Sequence, residues 1–183
     1  MPQELIDDLE AKPLSDSDIR RMIGPGPKII PYNKIKRYST IQQLVGPVGA
    51  VILYAQTPTY GHWVTVTRGP GPKEISYFDS YGYGVDVPLT WLDHQTMVDL
   101  GQGSPTLSKL LEKGLANGSI DKVDVNKVKL QKKGDDIASC GRYAALRIMF
   151  SKLSNQEFAK LISDKAGGGS AADRNVSLMT ALL

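Results

Sequence analysis

Residues 48–79 read VGAVILYAQTPTYGHWVTVTRGPGPKEISYFD, and three apolar runs within them decide the fold. Residues 48–54 are unbroken apolar sequence rich in β-branched side chains, the pattern of a buried strand. A loop over 56–60 leads into residues 62–67 (HWVTVT), a second strand. Gly69-Pro70-Gly71-Pro72 turns the chain into a third strand, residues 74–78, with Asp79 at its exit. Short connections favour antiparallel pairing, because a parallel neighbour needs a crossover of a dozen or more residues. The stretch therefore predicts an antiparallel meander in the middle of the chain.

Helical signals lie on both sides of it. Upstream, residues 3–10 suit a short helix. Ser15 or Asp16 can cap a second helix over 16–23, stopped by Gly24-Pro25-Gly26-Pro27, and a helical turn fits 41–45. Downstream, Ser104 is placed to cap a helix over 107–115. Short strands are expected at 120–123 and 127–130, and a polar loop at 134–139. Residues 142–150 then repeat with helical spacing, Ala144, Ala145, Ile148 and Met149 sharing one face. Further helices are expected over 155–162 and 173–183, separated by the flexible Gly167-Gly168-Gly169-Ser170. The layout is α+β, a central, mainly antiparallel sheet flanked by helices. A chain of 183 residues fits one domain, 1–183, with residues 1–14 as a candidate N-terminal extension.

Composition narrows the function. With 41% apolar and 22% charged residues the chain can form an ordinary globular core. No apolar run approaches the roughly 18 residues of a membrane span. The opening MPQELIDDLEAK is acidic and lacks the layout of a signal peptide, so an intracellular, unsecreted protein with no membrane partner is expected. One cysteine excludes an intrachain disulfide and any zinc site built on several cysteines; with two histidines, a metal would have to lean on carboxylates. Neither metal nor cofactor is expected. The net charge of +3 is unevenly spread: Lys28, Lys34, Lys36 and Arg37 cluster early, and Lys122, Lys127, Lys129, Lys132 and Lys133 late. Such clusters are commonly solvated faces; a surface for DNA or an acidic partner is the alternative.

The lone Cys140 would open the helix over 142–150. Unpaired N–H groups and the dipole at a helix start favour a thiolate and can receive an oxyanion, and Gly141 would let a substrate backbone approach. The competing reading is a small buried cysteine that fills space. His62, between Gly61 and Trp63 at a strand start, is placed to serve as base for a thiol; otherwise it is a strand-edge histidine with one structural hydrogen bond. Gly61 would leave open backbone space beside it, and Trp63 points to the opposite face. Asp79, one hairpin later, can orient the imidazole, or it simply opens the turn before Gly82; Asp86 is the fallback acid. Gln131 offers a side-chain amide as oxyanion donor, or is an exposed glutamine. His94, in WLDHQ, reads as a surface residue.

Together, Gly61-His62-Trp63, Phe78-Asp79-Ser80, Gln131 and Ser139-Cys140-Gly141-Arg142-Tyr143 resemble the clan of adenovirus-type maturation proteases and ubiquitin-like-protein-specific proteases. The order His, Asp, Gln, Cys matches that clan and is opposite to papain. The variant GHW…FDSYG…CGRY is most similar to proteases of large DNA viruses, virophages and polinton-like elements, from about residue 15 onward. LSDSDIRRMI and the stretch from Asp173 also look like that group. The resemblance implies an adenovirus-protease-like, circularly permuted papain-like fold. It implies His62 as base, Asp79 as its orienting acid, Cys140 as nucleophile and Gln131 as oxyanion donor, with Trp63 shaping the site. The Gln131-to-Cys140 gap is longer than usual in the clan. The implied activity is a viral endopeptidase that cleaves capsid or other virion precursors after small or glycine residues, in the virion or at the host-cell site of assembly. Alternatives are a protease for ubiquitin-like modifiers, an acyltransferase, or a non-enzymatic DNA- or capsid-associated structural protein. Gly167–Ser170 is expected to be a plain linker, with autocleavage there as the other reading.

Overall fold

Five strands form one sheet in chain order: β1 (Lys28–Pro31), β2 (Gly49–Ala55), β3 (Gly61–Arg68), β4 (Glu74–Phe78) and β5 (Lys122–Val125). The computed structural model describes residues 2–163 and 169–183, with side chains at 169 and 170 excepted. The β2–β3 and β3–β4 pairs are antiparallel, so the expected meander is present. The outer pairs, β1–β2 and β4–β5, are parallel, which makes the sheet mixed rather than mainly antiparallel. The connections explain the difference. A 3-10 turn (Tyr32–Arg37) and helix α3 (Ile41–Val45) lie between β1 and β2; a second 3-10 turn (Val87–Trp91), α4 (His94–Asp99) and α5 (Thr106–Ala116) lie between β4 and β5. Both links are long enough to carry the chain back over the sheet.

Before the sheet come α1 (Gln3–Ala11) and α2 (Asp16–Ile23). Ser15 and Asp18 close a reciprocal capping box on α2. After β5 come α6 (Cys140–Met149), α7 (Asn155–Ser163) and α8 (Gly169–Thr180). The expected break at 167–170 falls partly outside the described residues, and α8 begins at Gly169, earlier than expected. Ser104 does not cap α5: Pro105 precedes the helix, and its first-turn N–H groups go to distant side chains, Leu107 N to Tyr32 Oη and Ser108 N to Asp86 Oδ2.

The strand expected at 127–130 is irregular chain. The Leu130 and Gln131 N–H groups both reach the Ser80 carbonyl, at 3.0 and 2.9 Å, and the Asn126 amide holds the Asp79 carbonyl at 2.7 Å. A side chain thus takes a place that a strand ladder would otherwise fill.

The strand pleat sends alternate residues to opposite faces. Val64, Val66, Ala50, Ile52, Tyr54 and Tyr77 join Ile41, Leu44, Leu107 and Leu111 in one core. Val51, Leu53 and Trp63 face the other way, onto Leu14, Ile19 and Ala144, Ala145 and Ile148 of α6. Covered on both faces, β2 reads as a continuous apolar run rather than an alternating one. A third cluster joins Phe78, Leu130, Tyr143 and Leu146 to Phe158 and Ile162 of α7 and Val176 of α8. Helix α6 is therefore wedged between two cores, and its first residue is fixed in place from several sides.

Residues 2–14 are built into this frame. Ile6 and Leu14 are buried. The Leu9 carbonyl accepts from Arg142 Nε at 3.0 Å, the Glu10 carbonyl from Ala138 N at 2.7 Å, and the Leu14 carbonyl from Trp63 Nε1 at 3.0 Å. Each bond reaches a residue close to Cys140 or His62 in sequence. The segment expected as an extension thus buttresses the turn that carries the cysteine.

Candidate functional site

His62 is the second residue of β3, beyond the part of that strand paired with β4, which covers Thr65–Arg68. Asp79 is the residue after β4. The overhang leaves the two side chains facing one another, with His62 Nε2 3.1 Å from Asp79 Oδ1 and both residues buried. The contact is an ion pair more than a straight hydrogen bond, since neither Nε2 nor Asp79 Oδ2 has an aligned partner. Oδ1 also accepts the Tyr81 N–H at 2.7 Å, which holds the carboxylate still. Tyr81 stacks on the imidazole at 5.0 Å between centroids, and Trp91 lies against it at 5.3 Å. Burial works against a charged imidazole and is the largest single influence on it. Asp79 and Cys140 together outweigh burial and push the His62 pKa up to about 9.

Cys140 is the first residue of α6 and is half-buried. It borders the same cavity as the imidazole. Its position puts the thiol at the positive end of the helix, among N–H groups without intrahelical partners. Gln131 is buried, and its amide is fixed in orientation. Oε1 accepts the Ser80 hydroxyl at 2.6 Å, and Nε2 donates to Tyr81 Oη at 3.2 Å. That leaves Nε2 a second hydrogen. Gln131, His62, Cys140, Tyr81 and Trp91 line one cavity of about 340 Å³. On the other side of Cys140 lies an apolar cavity of about 430 Å³, walled by Leu14, Ile29, Leu53, Tyr60 and Trp63.

Four residues expected at the site therefore meet: Cys140, His62 and Gln131 share a cavity, and Asp79 backs His62. Others are used differently. A side chain at Gly61 would strike the Tyr54 carbonyl oxygen at 2.1 Å, so this glycine permits close strand pairing while its backbone borders both cavities beside Cys140. A side chain at Gly141 would meet Leu14 at 2.9 Å and Trp63 at 3.3 Å, so it admits the N-terminal segment rather than a substrate. Trp63 lies on the opposite face from His62 and still borders Cys140 through the apolar cavity. The fallback acid, Asp86, is spent elsewhere: it accepts from Tyr32 Oη at 2.7 Å, Tyr54 Oη at 2.9 Å and Ser108 N at 2.9 Å. His94 is exposed at the start of α4.

Tyr81, Trp91 and Ser80 are components that residue-by-residue reading passed over. Tyr81 and Ser80 stand in the FDSYG motif, and that motif was their only signal. Trp91 reaches the imidazole through a 3-10 turn that no periodicity announces. Among the described residues no group of three or more His, Cys, Asp or Glu side chains could hold a metal ion, and no helix is long and apolar enough to cross a membrane. Lys122, Lys127, Lys129, Lys132 and Lys133 are exposed, and Lys133 Nζ sits 4.7 Å from the Tyr83 ring centroid.

The fold and this cluster define an α+β protein in which a lone cysteine at a helix start meets a buried His–Asp pair. The chain belongs to the family of the protein named "Uncharacterized protein V9" of Sputnik virophage, with which it is 34% identical over 152 residues, 82% of this chain and 83% of that protein. No protein-family model matches it.

Proposed function

We propose that this protein is a cysteine endopeptidase that processes capsid or other virion precursor polypeptides, in the virion or at the site of assembly. The observation that carries the reading is the meeting of Cys140, at the start of α6, with the buried His62–Asp79 pair and the Gln131 amide. Kinship with a virophage protein supports the viral setting. The order His, Asp, Gln, Cys supports an adenovirus-protease-like, circularly permuted papain-like arrangement.

Below the His62 pKa of about 9 the Sγ proton resides on His62 in a thiolate–imidazolium pair, and Asp79 stabilises the imidazolium and its orientation. Sγ attacks a peptide carbonyl carbon. The oxygen, now negative, is received by the Cys140 backbone N–H and the second hydrogen of Gln131 Nε2. The C–N bond breaks as His62 returns its proton to the leaving amine, and water then hydrolyses the thioester. The preference for small or glycine residues before the scissile bond comes from the sequence resemblance. No cofactor is needed for these steps.

The test is co-expression of wild type and Cys140→Ala with a capsid precursor from the same genome. Cleavage products that appear with wild type alone support the reading; identical products from both chains end it. The exposed late lysine cluster supports an accessory contact with DNA, whose affinity then falls steeply as salt rises.

A further inference from the structure

Gln131 and Cys140 are separated by residues 132–139, and one carboxylate holds both ends of that loop. Asp173, on α8, is 1% exposed. Its Oδ1 accepts the Ser139 hydroxyl at 2.6 Å, and its Oδ2 accepts the Lys132 backbone N–H at 2.9 Å. Lys132 follows the amide donor, and Ser139 precedes the nucleophile. Ser139 is also the residue before α6, and its hydroxyl makes no cap to that helix, so Asp173 is its partner instead. We propose that Asp173 is a positioning residue that sets the separation between the Gln131 amide and the Cys140 N–H, the two donors that receive the oxyanion. The proposal rests on the peptidase reading.

A carboxylate serves both ends of the loop. Both bonds are accepted, one by each oxygen, and bonds to a charged acceptor are stronger than neutral ones. Alanine accepts neither bond and releases both ends of the loop, whereas asparagine can keep both, accepting from the Lys132 N–H and donating to the Ser139 hydroxyl. Ser139→Ala releases the nucleophile's end alone. In either variant the His62–Asp79 pair, held by β3, β4 and Tyr81, stays as it is.

Two measurements on the full chain separate positioning from general disruption. Alkylation of Cys140 by iodoacetamide at neutral pH needs the thiol and His62 but no oxyanion donor. Turnover of a fluorogenic peptide with Gly-Gly before the reporter amide needs both. Asp173→Ala should lower kcat at least about tenfold, with KM and alkylation rate within about twofold of wild type. Ser139→Ala should lose several-fold in kcat with the same split; it carries the test if Asp173→Ala fails to fold. Unchanged kcat in folded variants, or a parallel fall of kcat and alkylation rate, overturns the proposal. A wild-type chain that neither alkylates readily nor cleaves the peptide overturns the peptidase reading and this inference with it. An active wild type beside unaffected variants overturns the inference alone.

Discussion

Asp79 and Asp86 stand seven residues apart on the segment that leaves β4, both buried, and they do opposite work. Asp86 spends both oxygens on Tyr32, Tyr54 and the Ser108 N–H. It adopts a positive φ of 63°, a strained conformation for a residue with a side chain, and ties the first 3-10 turn, β2 and α5 together. Asp79 faces a histidine off-axis and keeps Oδ2 without a partner. A carboxylate whose bonding capacity is exhausted stabilises the fold. One with capacity left beside a titratable group can respond when charge appears there. The sequence ranks Asp79 first by its place at a strand exit, one hairpin after His62, but gives no sign of the partners that occupy Asp86.

The largest effect should come from the cysteine that the Asp79 pair serves. Cys140→Ala should abolish cleavage, a loss on the order of 10⁴-fold or more, while the melting temperature stays within a few degrees; product analysis and a thermal melt check both. Asp79→Asn should cost on the order of 10²- to 10⁴-fold in kcat with little change in melting temperature, because the imidazole loses its orienting charge and not its packing. Asp86→Ala should do the reverse. It strands two buried tyrosine hydroxyls and the half-buried Ser108 N–H, so unfolding in urea should show a loss of about 3–5 kcal/mol, while kcat per folded molecule is unchanged. Equal effects of the two aspartate variants on stability and kcat would erase the distinction.

The smallest effect is in pH. The folded-state pKa of His62, about 9, lies above its ordinary value of 6.5. The native state therefore binds more protons than the unfolded state between these values, and the pair's stabilisation is complete below pH 6.5. It is lost as pH rises towards about 9. Denaturant midpoints across this window should fall for wild type and fall less for His62→Gln. The same titration should place an alkaline limb near pH 9 on the cleavage rate.

Much of the fold was legible because local patterns agree with it. The capped helix Asp16–Ile23, the turn of helix Ile41–Val45 and the strand Glu74–Phe78 fall where the sequence signals put them. β1 was missed because four residues that follow Gly24-Pro25-Gly26-Pro27 and end in Pro31 carry no period, and their pairing partners lie 22 positions away. Residues 127–130 looked like a strand by composition, but the Asn126 side chain claims the carbonyl at the end of β4. Helix α4 was missed because its residues are exposed or half-buried and show no apolar face to read.

The sequence by itself determined the meander, the helix that starts at Cys140 and the residue types able to act there, because strand and helix periods and turn chemistry are local properties. Only the tertiary structure decided that Asp86 is committed to Tyr32, Tyr54 and Ser108, and that Gly61 and Gly141 leave room for protein backbone and Leu14. It also decided that Asp173 on α8 holds both ends of the loop before Cys140. The reason is physical: hydrogen bonds and steric exclusion depend on distances between residues far apart in the chain, and those distances exist only once the sheet and helices have packed.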